Sequence, residues 1–172
     1  MRIPKIYLET TIFNFVFADD APDKKEATIK LFEEISKGKY EAYTSYYVVE
    51  ELEKAFEPKR SNMLELIKQY NVSILEVSPE AERLADIYGK NGIIPEKYHT
   101  DGIHIAVATV NNMNYIISLN FKHIVKVKTI ETTKAINILE GYKEISIYSP
   151  MEVIDYDENW AKSFAGSTRN KG

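Results

Sequence analysis

Cysteine is absent from the 172-residue chain. That rules out disulfides and thiolate metal sites, and makes a cytosolic protein the simplest expectation. No signal-peptide core follows the opening "MRIPKIYLETTIF", and every apolar run is too short to cross a bilayer. Positive charge is not in excess. The net charge of -4 argues against a protein whose whole surface grips nucleic acid, while leaving room for a local basic rim. HExxH, P-loop and GxGxxG patterns are all missing, so zinc-protease, nucleoside-triphosphate and dinucleotide readings have no support. The acidic run "ADDAPDKKE" lacks the spacing of an EF-hand and reads as a helix-start loop. No repeat, low-complexity segment or linker divides the chain.

What remains is ordinary globular composition, 44% hydrophobic and 28% charged, in a length that suits one domain. The twelve tyrosines fall mostly on helical faces and strands, and read as packing residues rather than a base-stacking platform.

Periodicity orders the elements. "IPKIYLE" predicts a first strand and "TTIFNFVF" a short helix or turn. Pro22 starts a helix whose apolar face is Ala27, Leu31, Phe32 and Ile35. "YEAYTS" is a strand, and Ser45 is a natural N-cap for "YYVVEELEKAF", which Pro58 breaks. "SNMLELIKQY" is helical, "VSILEVS" extended, and "PEAERLADIYGKNG" helical with proline at its first position. A helix from about Thr100 to Asn112 then leads to a strand "YIISL". A helix "ETTKAINILEGY" and a last strand "EISIYS" follow, and the tail from residue 159 is expected to fray. Strands alternating with helices predict an α/β domain over residues 1–158 with a mostly parallel sheet of about five strands.

In such a sheet, ligand sites lie beyond the carboxyl ends of the strands. Glu9 closes the first strand, Asn120 closes "YIISL", and Asp101 opens the helix that returns to it, so all three belong to one edge. Helical geometry adds a fourth group. On "SYYVVEELEKAF", with an apolar face of Val48, Val49, Leu52, Ala55 and Phe56, Glu51 borders that face and Glu50 points away, so Glu51 is preferred with Glu50 as the fallback. Clustered carboxylates resist ionising together, and a hard divalent cation such as Mg²⁺ or Mn²⁺ relieves them. Such a cation assists attack on a phosphate. Thr10 and Thr11 stand ready to orient a carboxylate or a water. His104, one turn after Asp101, either orients that acid or a phosphate, or is a satisfied, partly buried histidine; the second is the commoner case. His99, His123, Lys122, Lys126 and Lys128 form either a rim for an RNA backbone or a solvated mixed face. Each of the four also has a plain reading: Glu9 as a surface acid at a strand end, Glu51 as a solvated helix acid, Asp101 as a first-turn acid and Asn120 as a turn residue.

Four segments in order, "YLETTIFN", "TSYYVVEEL", "DGIHIAVA" and "ISLNFKHI", resemble the motifs of PIN-domain proteins, the nuclease fold of VapC-type toxins. The resemblance runs from about residue 3 to residue 150. It implies a three-layer α/β/α fold and metal-dependent endoribonuclease activity on RNA. It also implies a site of Glu9, Glu51, Asp101 and Asn120, with the first three as ligands of Mg²⁺ or Mn²⁺. Often it implies a homodimer bound by a small antitoxin protein. Two positions depart from the common pattern. Glu9 stands where the family usually has Asp, and Asn120 is neutral where many relatives carry Asp, which leaves three formal negatives. A non-catalytic PIN-like module that binds RNA or protein, and a small-molecule phosphatase, remain as alternatives.

Overall fold

Ile6, Tyr7 and Leu8 are wholly buried, which a strand achieves only at the centre of a sheet covered on both faces. They belong to β1 (Lys5–Leu8) in the computed structural model, which describes residues 2–156 apart from 93, 96 and 98. The elements run β1, α1 (Thr10–Phe15), α2 (Pro22–Ser36), β2 (Glu41–Ser45), α3 (Tyr46–Glu53), α4 (Lys59–Gln69), β3 (Ser73–Leu75), α5 (Pro79–Lys90), α6 (His99–Val110), β4 (Tyr115–Ile117), α7 (Val127–Leu139), β5 (Ser146–Tyr148) and α8 (Pro150–Val153). The expected flexible tail from residue 159 lies outside the described residues. So do residues 157 and 158 of the expected domain.

The sheet order is β3-β2-β1-β4-β5, and every pairing is parallel. The chain first builds outward from β1 through β2 to β3, then crosses back and adds β4 and β5 on the other side. The direction of winding therefore reverses between β1 and β4. A parallel sheet opens a crevice at such a reversal, beyond the carboxyl ends of the strands. Burial of the Ile, Leu and Val side chains around it contributes roughly 1.5–3 kcal/mol each before chain entropy is subtracted.

Local chemistry sets several element ends. Ser45 caps α3 by accepting from Val48 N at 3.3 Å, and Ser78 caps α5 by accepting from Ala81 N at 3.1 Å. Gly38 and Gly141, with φ of 79° and 83°, take the left-handed conformation that ends α2 and α7.

Three boundaries and one added helix stand out against the pattern-based expectation. Helix α3 stops at Glu53, five residues before Pro58, and Phe56 is 90% exposed rather than on the apolar face. Strand β4 ends at Ile117, so Asn120 sits in the turn beyond it. Helix α7 begins at Val127, four residues earlier than "ETTKAINILEGY" suggests, because its buried face carries Thr129, Thr133 and Asn137, which hydropathy does not mark as interior. The single turn α8 follows Ser149. The Glu152 carboxylate accepts from the backbone N–H of Ser149, the reciprocal half of a capping box, and also from the Ser149 hydroxyl.

Candidate functional site

The turn out of β1 makes Glu9 the N-cap of α1, and its side chain is 3% exposed. Its backbone N–H donates to Ile117 O at 3.1 Å, tying the end of β1 to the end of β4. Thr11 Oγ1 and Ser118 Oγ each donate to Glu9 Oε1 at 2.6 Å, and Thr11 N donates to Oε2 at 3.2 Å. The same two hydroxyls accept from the next strand end: Leu119 N reaches Thr11 Oγ1 at 2.8 Å, and Asn120 N reaches Ser118 Oγ at 2.9 Å. Glu9 is thus held by the two loops that flank the reversal. Burial still pushes its carboxyl above the usual range, against the lowering effects of His104 and the hydrogen bonds.

Glu51 turns inward from α3, while Glu50 is exposed. Glu51 Oε1 lies 2.8 Å from His104 Nε2. On the other side of the ring, His104 Nδ1 lies 2.7 Å from the Tyr7 hydroxyl, which lies 2.7 Å from Ser45 Oγ. Burial pushes the Tyr7 hydroxyl far up, so it keeps its proton. If it donates to Ser45 and accepts from His104, both imidazole nitrogens are donors, as in an imidazolium; if it donates to His104 Nδ1 and accepts from Ser45, the ring is neutral. Burial opposes the charge on His104. The hydrogen bond to Glu51 and the charges of Glu9, Glu51 and Asp101 outweigh it and hold the imidazole above its ordinary value. Glu51 shows the converse: burial opposes its charge, and His104 more than offsets that, so the carboxyl falls below its usual range.

Asp101 sits in the first turn of α6 and is half-buried. Burial and the nearby charge of Glu51 raise its carboxyl, with His104, His123 and a side-chain hydrogen bond from Asn120 offsetting part of the effect. Asn120 also closes its own turn, with Oδ1 accepting from His123 N at 3.0 Å. The Thr10 hydroxyl is buried without a partner of good geometry, yet it lies near enough to Glu51 to help hold that carboxyl down. His99 stands apart, 3.7 Å from Asp86.

The structure therefore brings Glu9, Glu51, Asp101, Asn120, Thr10, Thr11 and His104 to one edge. Sequence reasoning missed three contributors: Ser118, Tyr7 and the second role of Ser45. A tyrosine in a strand buried on both faces was the available signal, because its hydroxyl must find a partner inside.

Among the described residues, no three His, Asp or Glu side chains are gathered tightly enough to hold an ion between them. Mg²⁺ does not require such a cage, since it binds through one or two carboxylates and keeps several waters. Two of the three carboxyls here are raised, which is the condition a cation relieves. A hard divalent ion here would be held by one or two carboxylates and water, since Glu51 is already engaged by His104. A hollow of about 500 Å³ lies elsewhere, bordered by Ile35, Tyr40 and Tyr70. Its one carboxylate, Glu41, accepts from Tyr43, and no comparable cluster converges there.

No protein-family model matches the chain, and no curated protein does. Among solved structures, it is similar to one described as VapBC2 from Rickettsia felis bound to a DNA fragment from their promoter. The TM-score is 0.53 at 15% identity, over 84% of this chain and 98% of that one. The fold is PIN-like. The all-parallel five-stranded sheet flanked by helices agrees with the mostly parallel sheet of about five strands expected from the alternation of strands and helices, and the likeness extends over nearly the whole neighbouring chain. No helix among the described residues is long and apolar enough to cross a membrane.

Proposed function

We propose that the chain is a divalent-metal-dependent endoribonuclease, acting as the toxin of a toxin–antitoxin pair. The observation that carries this reading is the meeting of Glu9, Glu51 and Asp101 at the β1/β4 reversal, two of them with raised carboxyls. Asp101 and Glu9 would hold Mg²⁺ or Mn²⁺, with Glu51 bordering them. When bound, the ion supplies Lewis-acid polarisation of a phosphate oxygen and of water. Glu51, held ionised by His104, can accept the proton of the attacking water. Asn120 fixes the carboxylate of Asp101, and Thr11 with Ser118 fixes that of Glu9. Water's oxygen joins phosphorus, one ester P–O bond breaks, and the leaving oxygen takes a proton.

The likeness to a VapBC2 structure supports an antitoxin protein as partner. A homodimer and a cytoplasmic location belong to the same proposal. The test is cleavage of mixed-sequence RNA with Mn²⁺ or Mg²⁺, beside an EDTA control and Asp101→Asn. Cleavage that needs both metal and Asp101 supports the reading. Cleavage that survives the substitution overturns the site.

The lack of a three-ligand cluster among the described residues favours a second reading, a PIN-like module that binds RNA or protein without cutting. Folded protein that binds neither Mg²⁺ nor Mn²⁺ would decide for it.

A further inference from the structure

Phe121 follows Asn120 directly and is 41% exposed, at the mouth of the site. Lys24, from the first turns of α2, places its Nζ 5.5 Å from the Phe121 ring centroid and 5.3 Å from that of Phe15, the last residue of α1. Three separate segments thus meet in a stack of aromatic, cation, aromatic beside the carboxylate cluster. The Phe121 turn is tied down. Phe121 N donates to Leu119 O at 3.1 Å, and Asn120 O accepts from Ile124 N at 3.0 Å and Val125 N at 2.9 Å. Charge changes sign here too. From Asn120 to Ile130 the sequence holds four lysines or histidines and more than one exposed lysine, with no Asp or Glu, in a chain whose net charge is -4. An exposed ring with one face against a cation, inside a basic stretch on an acidic protein, is complementary to an unpaired base and its phosphate.

We propose that Phe121 and Lys24 form a subsite for one unpaired nucleotide next to the scissile phosphate. The inference rests on the ribonuclease reading. Phe121 stacks on the base, and Lys24, braced by Phe15, neutralises the adjoining phosphate. A base paired in a duplex presents no free face to the ring, which is the source of the selectivity.

The test measures anisotropy of a labelled mixed-sequence 12-nucleotide RNA, single-stranded and annealed to its complement. Cleavage is suppressed by Asp101→Asn in every sample. Tight single-strand binding that Phe121→Ala weakens about ten- to one-hundred-fold is expected, with the duplex little affected. Phe121→Trp should keep the affinity and show tryptophan quenching on binding beyond that of the parent, whose one tryptophan is Trp160, and Lys24→Ala should lower the salt slope by about one. Equal affinity of Phe121→Ala and its parent, or an unquenched Trp at 121, overturns the subsite while leaving the nuclease intact. Equal affinity would also be the result if this patch instead seats a protein. Failure of the parent to bind RNA at all overturns the subsite and the ribonuclease reading together.

Discussion

His104 Nε2 lies 2.8 Å from Glu51 Oε1, and the imidazole that makes this bond is 1% exposed. Buried ion pairs of this kind are costly to break from one side, because the survivor keeps its burial and loses its partner. Here the histidine also faces Glu9, Asp101 and Tyr7, so its proton is held by the whole cluster.

Stability should therefore depend on pH with a defined sign. Glu51 is lowered from 4.5, so its contribution is present above about pH 4.5 and is lost as pH falls through its folded value. His104 is raised from 6.5, so its contribution is complete below pH 6.5 and is lost as pH rises through its folded value. Glu9 and Asp101 are raised acids and also weaken the fold as pH rises. The melting temperature should fall on going from pH 6 to pH 8.5. His104→Gln should flatten that fall and cost roughly 1–3 kcal/mol at pH 6. A pH profile unchanged by the substitution would show that His104 does not carry the charge.

Asp101→Asn should separate function from stability. The carboxyl is raised by burial and by Glu51, so at pH 8 its charge is held at a cost, and a neutral isostere removes that cost. The variant should lose cleavage and melt higher at pH 8, by roughly 2–4 °C for each kcal/mol gained in a chain of this size. Calorimetry checks the melting temperature, and a drop would mean that Asp101 is structurally satisfied.

Ser118→Ala should be destabilising although the side chain is small. Its hydroxyl gives one of the two 2.6 Å bonds to Glu9 Oε1 and accepts from Asn120 N. Removing it leaves a buried carboxylate short of a donor, at a cost of roughly 1–3 kcal/mol. Urea denaturation measures it, with Ser118→Thr as the conservative control that keeps the hydroxyl.

Sequence pattern and structure agree where one physical rule governs the choice. The alternation of strands and helices, Ser45 as a cap, Pro79 at the first position of its helix and the outward turn of Glu50 each follow from local geometry. They diverge where tertiary contacts decide. Phe56 fits an apolar helical face on a wheel, but the helix has already ended at Glu53. Thr129, Thr133 and Asn137 face inward on α7 while Ile138 and Leu139 are exposed, so hydropathy there points the wrong way. Ser118 is a small residue in an apolar strand end, and only the pairing of β1 with β4 brings it to Glu9. The capping box at Ser149 and Glu152 is different: its spacing was legible and marks a helix start that hydropathy alone overlooks.

Metal binding should appear as a gain in stability independent of any cleavage. An ion that binds only the folded chain stabilises it in proportion to the logarithm of its saturation, by about 2.7 kcal/mol at one hundred times the dissociation constant. Because Glu51 is engaged by His104 and no three-ligand group closes among the described residues, Mn²⁺ should bind through Asp101 and Glu9 with waters completing its shell. Titration followed by the spin-resonance signal of free Mn²⁺ should therefore give a single weak site that is lost in Asp101→Asn. The melting temperature of the unaltered chain should rise over the same concentration range. A site of undiminished affinity in Asp101→Asn would place the ion elsewhere, and a folded chain that neither depletes the free-ion signal nor gains stability would make the carboxylates a structural cluster neutralised by His104.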